Sequence, residues 1–250
     1  MDMNAIIFAG PSLPPAFRPR DRALEWRPPV KQGEVYEAAQ NRPAIIGIID
    51  GYFEVTPTVW HKEILWAMAR GIHVYGSASI GALRAAELYP FGMIGVGYVF
   101  AAYRDGILTD DDEVAVLHGP EELGYPAVTE AMVNIRATLD KALAEGVMDG
   151  RLASRLIEIG KAQFYKERSW EVIWRLAAGS GLPALKDLAA WLPGRHVDQK
   201  RVDALELVAS IRSHLAAGVT PLTVSYRFHD TGYHRAAARQ FMQGPEMRPA

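Results

Sequence analysis

Residues 72–88 contain a short apolar segment, a run of small residues and a helix-forming segment in direct succession. Ile72–Tyr75 is rich in β-branched and aromatic side chains and predicts a buried strand. Gly76–Ser79 predicts a tight turn, and Ile80–Leu88 consists largely of strong helix formers. A strand that turns directly into a helix leaves unpaired N–H groups at the helix N-terminus, where an anion can bind. This succession therefore predicts an α/β unit with a site at the turn.

Ser79 is the strongest candidate nucleophile in the chain. The segment Ser77–Gly81 differs from the G-x-S-x-G nucleophile elbow at its first position, where Ser77 replaces glycine. Serine is also a preferred N-cap residue, and turns of this type bind phosphate. The sequence therefore leaves three roles open for Ser79: a nucleophile, a helix cap or a group that positions an anion.

Further apolar segments alternate with helical ones in the N-terminal half. Strands are predicted over residues 4–9, 44–49 and 114–117. Helices are predicted over residues 34–40, from Thr56–Pro57 to Gly71, and over residues 92–103. Residues 14–29 contain five prolines and predict an irregular loop. The expected fold class is α/β, with a mostly parallel open sheet and flanking helices.

Strand signals nearly vanish after Pro126. Helices are predicted over residues 128–145, 151–165, 169–178, 182–192 and 197–217, and residues 221–228 predict a last strand or an extended arm. We therefore expect an α/β core over residues 1–125 and a helical extension over residues 126–250 that packs on the core.

The composition restricts the function classes. The chain has 250 residues with 27 basic and 29 acidic side chains, so no nucleic-acid or anionic-membrane partner is expected. The absence of cysteine excludes disulfides, thiolate metal sites and a cysteine nucleophile. No signal peptide or membrane-spanning run is evident, so a cytoplasmic location is expected. Walker-type, G-x-G-x-x-G and H-E-x-x-H motifs are absent, and no cofactor is expected.

Polar side chains follow several of the predicted strands. Because ligands bind beyond the carboxyl ends of parallel strands, residues after those ends should meet at one edge of the sheet. These residues are Gly10–Ser12, Asp50–Glu54, Ser77–Ser79 and His118. His73 begins its strand and should lie at the opposite edge.

His118, His61 and Asp50 are the candidate bases or base-orienting groups. His118 follows a predicted strand, whereas His61 lies about one turn into a predicted helix and could equally be structural. Arg84 and Glu87 form an i,i+3 pair, either as a structural ion pair or with Arg84 gripping an anion.

The acidic run Asp110–Glu113 predicts a solvated turn. Four adjacent acidic side chains on a strand do not face one point, so no metal site is expected there.

Six segments of the first half of the chain resemble the TfuA-like family over residues 4–120. In chain order they are Ile6–Leu13, Pro28–Gly33, Ile49–Phe53, His61–Leu65, Gly76–Leu88 and Asp112–His118. The long serine-containing segment is the most specific of them. The proline-rich segment departs from the family pattern, because Glu34 stands where the family has aspartate.

This resemblance implies a role in peptide backbone thioamidation. TfuA-like proteins act beside YcaO enzymes, which use ATP to activate a backbone amide, and are thought to release sulfide from a thiocarboxylated ThiS-like sulfur-carrier protein. The implied partners are a YcaO enzyme, the carrier and the precursor peptide. Ser79 would attack the thiocarboxylate, with His118 or His61 as base and Asp50 as an alternative base or orienting group. The implied substrate-binding residues are Ser12, Gly51, Gly76, Ser77, Arg84 and Glu87.

Three functional hypotheses remain open at this point. The chain is a hydrolase of a thiocarboxylated carrier, a non-catalytic adaptor that binds and activates YcaO, or an unrelated serine hydrolase. Under the first hypothesis, the loop over residues 14–29 and the helical half are the expected docking surfaces.

Overall fold

The computed structural model describes residues 4–52, 54, 56–178, 185–232, 235, 238, 239 and 241. Five strands form one sheet in which every pairing is parallel. They are β1 (Ala5–Phe8), β2 (Leu24–Arg27), β3 (Ile45–Ile48), β4 (His73–Ser77) and β5 (Ile94–Val96). The order β2-β1-β3-β4-β5 reverses direction between β1 and β3, which opens a crevice at the carboxyl edge.

The described part of the chain contains nine α-helices. They are α1 (Glu34–Gln40), α2 (His61–Met68), α3 (Ile80–Leu88), α4 (Gly97–Arg104), α5 (Met132–Ala144), α6 (Gly150–Lys161), α7 (Trp170–Ala178), α8 (Leu185–Trp191) and α9 (Gln199–Ala217). The α/β class and the helical C-terminal half are thus confirmed. Residues 182–184 of the predicted eighth helix lie outside the described residues, and residues 221–228 form an extended arm without regular secondary structure.

The two faces of the sheet are covered by different parts of the chain. Alternating strand residues such as Ile6 and Ile46 pack against α1 to α4, whereas Ile7 and Ile45 pack against α9. A third cluster joins α5 to α8. The division into a core and an extension at residue 125 stays a prediction, but α9, from the C-terminal part, supplies the second face of the sheet.

Both edge strands were missed by the sequence analysis. Strand β2 lies inside the predicted loop and β5 inside the predicted helix over residues 92–103. Each pairs on one side only and is short, so neither carries the continuous apolar run of a central strand.

The fourth predicted strand, Val114–Leu117, is wrong. The segment joins no strand of the sheet, and two of its backbone groups bond to side chains. Lys200 Nζ donates to the Val114 carbonyl at 2.7 Å, and the Leu117 N–H donates to Thr129 Oγ1 at 2.7 Å. Val114 and Ala115 are buried there without joining the sheet.

Helix α2 begins at His61 rather than at Thr56–Pro57. Glu63 Oε1 accepts the Trp60 N–H at 2.7 Å, which fixes the N-terminus of the helix at that point. His61 is therefore the first residue of α2 rather than lying one turn into the helix.

Two glycines allow α3 to lie directly on the sheet. A β-carbon at Gly81 would overlap the Ile48 carbonyl oxygen, and one at Gly76 would overlap the Gly81 carbonyl oxygen. The Gly81 N–H donates to the Ile49 carbonyl at 3.3 Å. The first turn of α3 is therefore pinned to the ends of β3 and β4.

We expect Gly81→Ala to lower the free energy of unfolding by about 3 kcal/mol, because the helix must move away from the sheet to admit the methyl group. Gly150→Ala is the matched control, since a β-carbon at Gly150 meets no atom within 4 Å. The control should leave stability unchanged or raise it by up to about 1 kcal/mol. Urea unfolding measures both, and equal effects of the two variants would contradict the packing argument.

Glu63 joins α1 and α2 through one buried carboxylate. It accepts N–H groups of Gly33 at 2.9 Å, Val35 at 3.1 Å and Trp60 at 2.7 Å, so it lies at the N-termini of both helices. Burial raises the pKa of Glu63 to about 7, against the opposing effect of these N–H donors.

A raised carboxyl pKa makes stability fall with increasing pH. The folded state holds the Glu63 proton more tightly than the unfolded chain, whose value is near 4.5. The stabilisation from this proton is therefore complete below the unfolded-state pKa and is lost as the pH rises through about 7. Relative to Glu63→Gln, the wild type should lose up to about 3 kcal/mol of unfolding free energy between pH 5 and 8. Parallel pH profiles of the two proteins would refute this.

Candidate functional site

A cavity of about 570 Å³ lies at the carboxyl edge of the sheet, beside the crevice between β1 and β3. Pro11 follows β1, Asp50 follows β3 and Ser79 follows β4, and all three line the cavity. His118 and Lys200 also line the cavity. The edge predicted from the strand ends therefore coincides with a concave surface.

The turn before α3 leaves the Ser79 hydroxyl uncommitted. Ser79 occupies the N-cap position of α3, but its side chain makes no capping hydrogen bond, and its hydroxyl makes none to any described residue. The left-handed residue of the turn is Ala78, at φ 63°, so Ser79 lies one residue beyond the sharpest point. This differs from the G-x-S-x-G pattern, in which the serine itself occupies the sharp turn. Helix capping by the Ser79 side chain is not observed.

A backbone donor lies next to this hydroxyl. The Gly81 N–H is used by the Ile49 carbonyl, whereas the Ile80 N–H has no acceptor among the described residues. Ile80 also lines the cavity. The N-terminus of α3 therefore offers a free N–H and a positive dipole end to an anion.

Asp50 holds the ends of β1 and β3 together. Its Oδ2 accepts the N–H groups of Gly10 at 2.9 Å and Ser12 at 3.0 Å, and its Oδ1 accepts the Ser12 hydroxyl at 2.6 Å. Both oxygens are thus engaged, and only 1% of the residue is exposed. This geometry gives Asp50 and Ser12 an orienting role at the cavity wall, where Gly51 also lies in close contact with Ile80.

His118 presents one ring nitrogen that can accept a proton. Its Nδ1 lies 2.8 Å from the Gly119 carbonyl, which can only accept, so Nδ1 carries the hydrogen. In the neutral ring Nε2 is then the acceptor. The ring centroid lies 6.0 Å from that of Tyr52 and 5.8 Å from that of Tyr125. His118 therefore reaches the site from a loop, although the strand predicted to carry it does not form.

Lys200 is a site residue that the sequence analysis missed. The residue is 3% exposed, and its Nζ donates to the Val114 carbonyl at 2.7 Å. Burial lowers the pKa of the Lys200 amine, while the charge of Asp50 opposes the shift. A buried amine of this kind can act as a base or bind an anion.

Helical periodicity could have identified Lys200. The residue falls on the buried stripe of α9, four positions before Ala204 and seven before Leu207. One turn after Lys200, the Asp203 carbonyl accepts the Ser77 hydroxyl at 3.0 Å, which fixes the first turn of α9 over the end of β4. A lysine at a position of the apolar helical stripe is therefore the sequence signal that could have identified this residue.

His61, Arg84 and Glu87 form a separate cluster that does not line the cavity. Glu87 Oε2 lies 2.7 Å from His61 Nε2 and 2.8 Å from Arg84 Nη1, and Arg84 Nε donates to the Val59 carbonyl at 3.0 Å. Burial opposes the shift, but these two partners lower the pKa of Glu87. The geometry corresponds to the structural ion-pair alternative.

Gly76 and Ser77 lie beneath the turn rather than in the cavity. Gly76 is covered by the Gly81 carbonyl, and the fully buried Ser77 is bound to α9 through its hydroxyl. They support the turn from below.

Three members of the acidic run converge, contrary to the expectation from their adjacency. Carboxylate oxygens of Asp110, Asp112 and Glu113 lie within 4.8 Å of one another. Lys161 makes ion pairs with all three. Arg168 also pairs with Asp112 and Arg136 with Glu113. Because these cations neutralise the cluster, it is an ion-pair network that ties the run to the helical half.

The parallel sheet and the polar cavity at its carboxyl edge define an α/β protein with a ligand-binding or catalytic site. Residues 50–169 match the family model described as TfuA-like protein, which confirms the resemblance. This segment of the chain is therefore similar to the TfuA-like family, which is associated with YcaO-related thioamidation. The matched segment includes Asp50, Ser79 and His118 and ends before Lys200.

Two further searches gave negative results. None of the curated proteins compared with the chain is significantly similar to it. Within the described residues, no helix combines the length and apolar character that crossing a membrane requires.

We expect Asp50→Ala to lower the free energy of unfolding by about 3 kcal/mol, because the buried N–H groups of Gly10 and Ser12 lose a charged acceptor. Asp111→Ala is the control, since Asp111 is an exposed aspartate at the same cavity. It should change stability by less than about 0.5 kcal/mol. Thermal and urea unfolding test this, and an equally small effect at Asp50 would contradict its orienting role.

Proposed function

We propose that this chain supplies sulfide for YcaO-dependent backbone thioamidation by hydrolysing the C-terminal thiocarboxylate of a ThiS-like sulfur-carrier protein. The observation that carries the proposal is the uncommitted Ser79 hydroxyl at the N-terminus of α3, in one cavity with His118 and Lys200. The family match supports a role in thioamidation. The presence of Ser79, His118 and Lys200 in one cavity supports the hydrolysis.

The first chemical step is an acyl transfer to Ser79. Ser79 Oγ attacks the carbonyl carbon while His118 Nε2 or Lys200 Nζ takes its proton. The Ile80 N–H and the dipole of α3 stabilise the developing oxyanion. The carbon–sulfur bond then breaks while the protonated base returns its proton to the sulfur, which leaves as hydrosulfide.

The second step restores the enzyme. Water, deprotonated by the same base, hydrolyses the ester on Ser79 and releases the carrier carboxylate. Overall, one thiocarboxylate and one water give one carboxylate and one hydrogen sulfide. No cofactor enters this balance.

Binding of the carrier tail follows from charge and size. The thiocarboxylate is an anion, and Lys200 is the buried cation of the cavity. Gly51, which lines the cavity, has no side chain that would obstruct a slender Gly-Gly-like tail. We assign no chemical role to His61, Arg84 and Glu87, because their cluster lies outside this slot.

The proposed reaction also implies a partner enzyme and a cellular location. A YcaO enzyme would receive the sulfide, with the precursor peptide as its substrate. We place this exchange in the cytoplasm, where the reducing conditions preserve sulfide.

The deciding experiment measures sulfide release from a thiocarboxylated carrier. Ser79→Ala should lower the rate by about a hundredfold or more, because the nucleophile is removed. Ser154→Ala, an exposed serine of α6, is the matched control and should match the wild type. Circular dichroism confirms folding of each variant.

His118→Gln and Lys200→Met separate the two candidate bases. The residue that takes the Ser79 proton should lose about a hundredfold in kcat, together with the acidic limb of the pH–rate profile. The residue that only binds the anion should mainly raise KM. Unchanged kinetics in both variants would remove acid–base catalysis from this cavity.

The remaining outcomes identify the alternatives. If the wild type stimulates YcaO without releasing sulfide, the hydrolase hypothesis is refuted and the adaptor hypothesis is favoured. Turnover of simple esters with fluorophosphonate labelling of Ser79, but no sulfide release, would favour an unrelated serine hydrolase.

A further inference from the structure

One wall of the cavity is a compact loop formed by residues 117–128. Its ends are joined by the Val128 N–H donating to the Leu117 carbonyl and the Gly119 N–H donating to the Pro126 carbonyl, both at 2.8 Å. Tyr125, 1% exposed, anchors the loop with a left-handed backbone at φ 58°. Compact loops of this kind hold a fixed surface and are often functional.

This loop exposes three aliphatic side chains, of which Leu117 itself lines the cavity. Leu123 is 71% exposed, Val128 62% and Leu117 39%. Beside Tyr165, which lines the cavity, Phe164 is 52% exposed. We call Leu117, Leu123, Val128 and Phe164 the apolar rim. Exposed apolar side chains on and next to a cavity wall are typical of a protein-binding surface.

The charges at the mouth and in the cavity have opposite signs. Asp111, Glu121 and Glu122 line the outer cavity and are exposed, and none makes an ion pair with a described residue. Lys166, the cation on that side, is already paired with Glu54 at 2.9 Å. Lys200 lies buried within. A ligand that fits both regions has a basic, partly apolar body and an anionic end.

We propose that the apolar rim, with Glu121 and Glu122, is the docking surface for the folded body of a small protein that inserts its own C-terminus. The partner's face around its tail carries aliphatic side chains and Lys or Arg residues. The exposed carboxylates attract this face and speed its approach, and the rim buries its apolar part. The proposal rests on the proposed function for the tail chemistry, but its surface is defined by contacts independent of Ser79.

Binding of the carrier in its ordinary carboxylate form tests the surface without any turnover. Leu123→Glu, and separately the double charge reversal Glu121→Lys with Glu122→Lys, should each raise the calorimetric Kd by about tenfold or more. Ile107→Glu is the matched control, because Ile107 is 68% exposed but lies outside the loop of residues 117–128, and its Kd should stay within about twofold of the wild type.

A second readout compares substrates of different size. Thioacetate is too small to reach Leu123 from the Ser79 hydroxyl, so Leu123→Glu should lower kcat/KM about tenfold more for the thiocarboxylated carrier than for thioacetate. A uniform loss for both substrates would assign the effect to damaged folding and overturn the docking role of Leu123.

The outcomes separate this proposal from the hydrolase. Carrier binding by the wild type that survives all rim variants overturns the docking surface alone. Carrier binding that is lost in the rim variants but accompanied by no sulfide release overturns the hydrolase and leaves the docking surface standing. No carrier binding by the wild type overturns the docking proposal, whereas thioacetate turnover still reports on the chemistry.

Discussion

The close contact between α3 and the carboxyl ends of β3 and β4 is the constraint on which the site depends. It requires Gly76 and Gly81, because a β-carbon at either position overlaps a carbonyl oxygen. The contact commits the Gly81 N–H to Ile49 and leaves the Ile80 N–H directed at the cavity end of the helix. It also forces the chain through a left-handed residue, Ala78, immediately before Ser79. Backbone strain of this kind persists only where surrounding packing imposes it. Here the packing of one helix turn determines both the fold and the position of the hydroxyl.

Helix α9 links the stability of the sheet to the chemistry of the cavity. Ala204 and Leu207 cover the second face of the sheet, and the same buried stripe places Lys200 at the carboxyl edge. A buried amine carries a desolvation penalty, which the hydrogen bond from Lys200 Nζ to the Val114 carbonyl offsets only in part. Such a residue lowers the stability of a fold. Proteins keep residues of this kind where binding or reaction requires them. The helical half therefore contributes a part of the site rather than only a cover for the core.

The sequence analysis predicted the elements that depend on local residue patterns. It missed the elements and residues whose environment depends on distant parts of the chain. The central strands β1, β3 and β4 were predicted because burial on both faces produces continuous apolar runs. The edge strands and Lys200 were missed because their environment is set by distant residues. Asp50 and Ser79 were located by the rule for carboxyl ends, whereas His118 reaches the cavity through a loop that no strand rule describes. His61 was misplaced because the start of α2 is fixed by the Glu63 carboxylate rather than by Thr56–Pro57.

The distribution of charge favours an anionic substrate end over a neutral ester. Inside the cavity, solvent is largely excluded around Lys200, so its attraction for a thiocarboxylate is strong. The carboxylates of Glu121 and Glu122 lie in solvent, where salt screens their repulsion of that same end beyond about 8 Å. An anionic tail is therefore repelled weakly on entry and held strongly once inside. A neutral ester would gain no charge attraction from Lys200. The site is thus better suited to a charged C-terminus than to a general esterase substrate.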